Sequence, residues 1–259
     1  MNRRKHALTA LALALLVSLA GCGFFLGNDG EEEVPDSEQI KADAVAQMEA
    51  VNAYNYSMVT TVAFGDNSMT TEAVGTVNVS AQKMSANPMQ TSVKTNSTKT
   101  TKVTRVFIFD DQQCAHVNDS WEQQPVDRSP WVGGANMSAQ QDLLNDSSAS
   151  VYNGTLNGED VYVVEVTPDK SAIDQLVGDV ENVEFQNVTY TQYVDTDSKR
   201  LLKSDMDAQY IVNGREATMS VEMSFSDYGT KHEITLPGAA VGNENNPGPC
   251  AGMTTNSSA

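Results

Sequence analysis

Basic residues are scarce in this chain: 16 Lys and Arg stand against 34 Asp and Glu in 259 residues, a formal net charge of −18. A surface this acidic repels phosphate backbones, so no nucleic-acid partner is expected, and it disfavours general adhesion to anionic head groups. Histidine is limited to His6, His116 and His232, with no ligand spacing between them, so no metal site is expected. The motifs that carry catalysis are missing as well. There is no Gly-x-Ser-x-Gly elbow, no phosphate-cradling glycine loop, no His-Glu-x-x-His and no cysteine with a plausible base. Asp110-Asp111 and Asp195/Asp197 sit where solvated turns are expected rather than a cation site. The expectation is a protein that is not an enzyme and carries no cofactor. A spanning helix needs about 20 predominantly apolar residues, and the one apolar run, Ala7 to Ala20, breaks at Gly21.

What that run does have is a charged start and a defined end. Arg3, Arg4 and Lys5 precede it, Thr9 and Ser18 are its only polar residues, and Leu19-Ala20-Gly21-Cys22 closes it. This is the layout of a secretory signal, and its last four residues resemble the lipobox of exported lipoproteins. The resemblance implies that residues 1–21 are removed and that Cys22 becomes the lipidated first residue, anchoring the protein to the outer, extracytoplasmic face of the cell membrane. Arg3-Arg4 leaves both general secretion and twin-arginine export open. Cleavage would take away three of the 16 basic residues and none of the acids, moving the charge to −21. A deficit of bases more than an excess of acids fits salty surroundings. Residues 22–35, rich in Gly and Glu, read as a tether with little to bury. Residues 36–237 read as one domain, and 238–259, rich in Gly, Asn, Pro and Ser, as a flexible C-terminal tail.

With Cys22 acylated, Cys114 and Cys250 form an even pair in an oxidising compartment. Sequence does not give their distance, so a disulfide and two separate thiols both stand. Glycosylation sequons occur at Asn55, Asn78, Asn96, Asn118, Asn136, Asn145, Asn153, Asn187 and Asn256. They fit either an archaeal or comparable glycosylating surface or a polar Asn/Ser/Thr coat on β-strands.

The domain opens with a predicted helix: Asp36 and Gln39 form a capping-box pair, and Ile40, Ala44, Met48 and Val51 recur at helical spacing. The period then switches to two. Tyr56, Met58, Thr60, Val62 and Phe64 alternate, and Ala73, Gly75, Val77 and Val79 follow a turn at Gly65-Asp66-Asn67. A further strand is predicted at Val103–Phe109, then a Pro-containing loop holding Trp121 and Trp131. Asn153-Gly154 and Asn157-Gly158 are both hairpin signals, and Val161–Val166, apolar on both faces, reads as a central strand. Short helices are predicted at Ser138–Asn145 and Asp169–Val177. Phe185–Val194 and Leu201–Val212 are strands, and Ala217, Met219, Val221, Met223 and Phe225 alternate faultlessly with polar residues.

This pattern demands an α+β fold with a large antiparallel sheet covered on one side. Four stretches, Ala44–Thr61, Asn157–Val166, Tyr193–Lys203 and Met223–Pro237, resemble the LolA-like and LppX/LprG-type envelope lipoproteins. In the last of them Phe225, Tyr228, Gly229, Ile234 and Pro237 fall where such proteins place their closing strand. The resemblance implies a curved antiparallel half-barrel with a few helices packed on its concave face, holding a lipid or other apolar ligand. Many methionines are available to line such a space (Met48, Met58, Met69, Met84, Met89, Met206, Met219, Met223), and thioethers adapt to irregular ligands. The expected ligand-binding residues are Met48, Met58, Val62, Met219 and Met223. The competing expectation is a non-catalytic surface lipoprotein with a filled core, presenting its outside to a protein partner or the cell-surface layer.

Overall fold

The strand-rich sequence folds into an 11-stranded, fully antiparallel sheet in the order β6-β5-β4-β3-β2-β1-β11-β10-β9-β8-β7. The computed structural model describes residues 36–126, 137–146, 148–168, 183–229 and 233–254. The strands are β1 Ala53–Phe64, β2 Asn67–Asn78, β3 Lys83–Thr95, β4 Thr98–Phe109, β5 Gln112–Val117, β6 Ser120–Pro125, β7 Ser148–Leu156, β8 Glu159–Thr167, β9 Val183–Asp195, β10 Leu201–Val212 and β11 Arg215–Ser226. Two meanders, β1 to β6 and β7 to β11, are zipped together by β1 against β11, from Asn55↔Ser226 to Ala63↔Thr218. The sheet does not close. Its edges are β6 and β7, and with its few helices it is a half-barrel of the α+β class. The turns at 65–66, 96–97 and 213–214 mark one end, called the lower end.

Helix α1, Ser37–Glu49, starts where the sequence predicts: Asp36 Oδ1 accepts from Gln39 N at 3.2 Å, while the Gln39 side chain turns to Asp43 Oδ1 (2.7 Å). Its stripe of Ile40, Ala44 and Met48 is buried, and each Ile or Met so buried contributes about 1.5–3 kcal/mol. Val51 lies beyond the helix. Helix α2, Met137–Asp146, packs on α1. Together they cover the upper part of one sheet face, where Ala44, Met48, Met137 and Leu144 join Tyr54, Tyr56, Phe225, Met223, Tyr190 and Val194 in the main core. The predicted helix Asp169–Val177 and Trp131 lie outside the described residues.

Several elements differ from the sequence reading for local reasons. Asn153-Gly154 is no turn; both lie inside β7, where the missing Gly154 Cβ makes room for Val163 Cγ2, 2.5 Å from where that carbon would be. The turn is made by Asn157-Gly158, both with positive φ (54° and 90°), as a tight hairpin requires. Strand β8 is not central but next to the edge. It is nevertheless buried on both sides, with Val164 and Val166 in the core and Val163 against Gly154. Trp121 belongs to strand β6 rather than to a loop. The closing strand β11 ends at Ser226, so Ile234 and Pro237 are not part of it.

The C-terminal stretch is an ordered strap. Helix α3 (Gly238–Val241), a two-residue ribbon (β12 Gly242–Asn243, β13 Asn246–Pro247) and a 3-10 turn (Ala251–Thr254) follow one another. Ile234, Leu236, Ala240, Cys250 and Met253 form a second apolar cluster with Phe107, Phe109 and Cys114. The register puts Phe107 and Phe109 opposite in facing to Val106 and Ile108, so this cluster sits on the outer face of the sheet. A disulfide joins Cys114 to Cys250, 6.0 Å apart at Cα and 136 residues apart in sequence.

Candidate functional site: the lower inner face of the sheet

Strict alternation on β1 and β11 aims one set of side chains at the helices and the other at water. The five residues expected to meet a ligand all belong to the inner set or to α1, and the structure separates them into two groups. Met58 lies directly opposite Met223, and Val62 directly opposite Met219. Met48 and Met223 are 4% and 2% exposed, sealed under the helices as core. Met58, Val62 and Met219 remain partly open.

Exposure grows steadily toward the lower end. Tyr54 is fully buried and Tyr56 nearly so; Tyr56 lies over Gly75, its ring within 2.7 Å of where a Gly75 Cβ would be, and its hydroxyl donates to Ser85 O at 3.2 Å. Two rungs below Met58, the cross-strand pairings align Val93, Met69, Val62, Met219, Ala208 and Val188 as one apolar row running across β3, β2, β1, β11, β10 and β9. Met69 is 44% and Val93 39% exposed. Beneath that row an aromatic group closes the lower rim. Phe64 meets Tyr210 edge to face at 6.2 Å, over the small Ala217, and Tyr210 meets Phe185 at 5.7 Å. Burial raises the Tyr210 pKa above its ordinary value. The lower inner face therefore carries an apolar floor, one Met and Val row over six strands with an aromatic rim beneath it, half open to water and bordered by Thr60, Thr71 and Thr91 above.

Polar groups interrupt the inner face one rung above the apolar row, where Thr60, Thr71 and Thr91 align across β1, β2 and β3 with Thr71 Oγ1 and Thr91 Oγ1 3.3 Å apart, and they recur at the covered end. Gln192, fully buried on β9, donates Nε2 to Gln140 O of α2 (3.0 Å) and to the Tyr190 hydroxyl (3.2 Å). Its Oε1 has no partner among the described residues. Burial pushes the Tyr190 pKa up to about 12, partly offset by hydrogen bonds from Gln192 and Ser204. Two hollows elsewhere, of about 410 and 380 Å³, lie on the outer face among hydroxyl-bearing residues such as Ser57, Thr76 and Ser224, and Thr61, Thr189 and Ser220. Among the described residues no group of three His, Cys, Asp or Glu could hold a metal, and no helix is long and apolar enough to cross a membrane.

The sequons are placed unequally. Asn55 Nδ2 donates to Asp227 Oδ2 (2.7 Å) and its Oδ1 accepts from Thr76 (2.8 Å), so this asparagine is engaged within the sheet. Asn78 Oδ1 accepts from Ser80 Oγ and Ala81 N, both at 3.0 Å. Asn96 and Asn118 are exposed, with positive φ, in hairpin turns; Asn153 and Asn187 are exposed on strands. Asn136, Asn256 and Cys22 lie outside the described residues, as does the Asn145 side chain.

No family model matches the sequence, and no curated protein matches it. Among solved structures, LprF from Mycobacterium bovis aligns over 78% of this chain and 96% of its own, at 12% identity and a TM-score of 0.54. Lipoprotein LppX from Mycobacterium tuberculosis aligns over 76% and 99%, at 11% identity and a TM-score of 0.48. A LolA superfamily protein from Nitrosomonas europaea aligns over 78% and 94%, at 11% identity and a TM-score of 0.26. The LprF superposition shows that this chain shares the half-barrel fold of that protein.

Proposed function

We propose that the protein is an exported lipoprotein, anchored at Cys22 on the outer face of the cell membrane, that holds a lipid or another acyl-chain ligand against the lower inner face of its sheet. The observation that carries this reading is the row Val93–Met69–Val62–Met219–Ala208–Val188, an apolar strip across six strands that the helices leave partly uncovered. Soluble domains rarely leave a contiguous apolar surface uncovered unless something binds it, and flexible Met beside branched Val and aromatic groups suits a chain without fixed shape. Of the five residues picked out by sequence, Met58, Val62 and Met219 are the ligand contacts. Met48 and Met223 belong to the helix-covered core that bounds the floor above. Asn96 and Asn118, at exposed turns, are the sequons best placed for modification, and Asn55 the worst.

A matched pair of substitutions tests the site. Val62 and Val59 lie on the same strand, on the inner and the outer face, and Val59 is itself 40% exposed. Val62→Glu sets a carboxylate in the apolar strip and is expected to weaken binding of dansyl-undecanoic acid at least tenfold, while Val59→Glu leaves it unchanged. Equal binding by both variants, each folded by circular dichroism, would place the ligand elsewhere. Failure of the wild-type chain to bind any acyl probe would favour the surface module with a filled core.

A further inference from the structure

We infer that the lower half of the β3–β4 hairpin is a docking surface for an anionic lipid membrane, which brings the open end of the apolar floor against the bilayer. In a chain with twice as many acids as bases, Lys83–Phe109 contains Lys83, Lys94, Lys99, Lys102 and Arg105 and no acid at all. Lys83 is engaged over the Phe109 ring, 4.8 Å from its centroid. Lys94, Lys99, Lys102 and Arg105 are exposed, and no ion pair joins them to any described residue.

Their arrangement costs the fold something. Lys94 and Lys99 are direct cross-strand partners, and like charges placed so are destabilising. Strand β5 pairs only with Arg105–Phe109, so among the described residues Thr98–Thr104 has no strand partner on its outer edge at the lower corner of the sheet. Edges are often guarded by charge against aggregation, which would explain Lys99 and Lys102. It does not explain Lys94, which is on the interior strand β3. The same corner exposes apolar groups on both faces: Val93 and Met69 within, Val103 (58% exposed) without. Cations interleaved with exposed aliphatic side chains suit the head-group boundary of an anionic bilayer. At 0.1 M salt the acids of the remaining sheet act over only about 10 Å, so the corner can approach a surface that the protein as a whole would avoid.

The inference rests on the acyl-carrier reading, and two separate readouts keep them apart. The chain from residue 22 with Cys22→Ser, which has no anchor, is sedimented with vesicles of phosphatidylcholine alone or with 30% phosphatidylglycerol. Binding to the anionic vesicles is expected, falling as salt rises. K94Q/K99Q/K102Q should weaken it about a hundredfold, since each lysine near such a surface is worth about one kilocalorie per mole, while binding of an uncharged acyl probe, the methyl ester of dansyl-undecanoic acid, stays unchanged. Equal affinity for neutral and anionic vesicles, or a triple variant that binds like the wild type, overturns the inference. So does absence of vesicle binding together with self-association that the triple variant loses, which would assign the basic corner to the acidic sheet of a second copy.

Discussion

Breaking the Cys114–Cys250 cross-link should uncouple the strap from the outer face and lower the stability of the whole domain. The bridge closes a loop of 136 residues, for which the chain-entropy account gives about 5 kcal/mol at 25 °C. Substituting both cysteines by alanine avoids leaving a hydroxyl unpaired, since each is fully buried. At a urea slope of about 2 kcal/mol per molar, the midpoint should fall by about 2.5 M. Trp121 reports the outer cluster, because its ring lies 6.0 Å from Phe107 and 4.9 Å from His116, and a Trp131→Phe background makes its fluorescence the sole indole signal. In the alanine variant that signal should change at lower urea than the far-ultraviolet signal of the sheet. A loss under 1 kcal/mol with the two signals still coincident would refute the reasoning, since the strap would then be held by its apolar contacts alone.

Two further outcomes follow from the packing of the tyrosines. Gly75→Ala would put a Cβ 1.8 Å from the Ser85 carbonyl oxygen and 2.7 Å from the Tyr56 ring. Overpacking typically costs about 1–3 kcal/mol, and a backbone oxygen cannot swing aside, so the upper end is expected in urea unfolding; a loss under 0.5 kcal/mol would contradict it. Burial raises the hydroxyl pKa of Tyr190 to about 12 and those of Tyr54, Tyr56 and Tyr228 further. A folded-state value above the ordinary 10 means that the native state holds protons the unfolded chain releases. Stability should therefore be steady below about pH 10 and fall as pH rises toward 12, and urea midpoints unchanged up to pH 11 would exclude this linkage.

How much of this was legible in sequence depended on alternation. Leu201–Val212 and the run Ala217–Phe225 became β10 and β11 as expected because one face is apolar and the other polar for the whole length. Strands β5 and β6, with sequences QQCAHV and SWEQQP, have no such contrast and were passed over; they form because β4 offers an edge to pair with. In β3 a register shift between Ala86 and Met89, around Pro88, breaks the period that would have announced the strand. At the site, alternation correctly assigned Met58, Val62, Met219 and Met223 to one face but could not separate contact from core. That distinction depends on how far α1 and α2 extend over the sheet, a tertiary fact. Phe64, Val93, Phe185 and Tyr210 were missed for the same reason, although the alternation already placed Phe64 on the inner face, and Met69 was counted among the available methionines without being singled out as a contact. The C-terminal stretch read as a tail because its apolar residues are sparse, and only the cysteine pairing hinted that they have a place to pack.

The most direct test of the acyl-carrier account is a native mass spectrum of the chain from residue 22 with Cys22→Ser, recorded as purified and again after organic extraction and exposure to a lipid panel. The account predicts an adduct of lipid mass that extraction removes and lipid restores, and that Val62→Glu abolishes. A protein that is bare as purified and takes up none of the panel would contradict it.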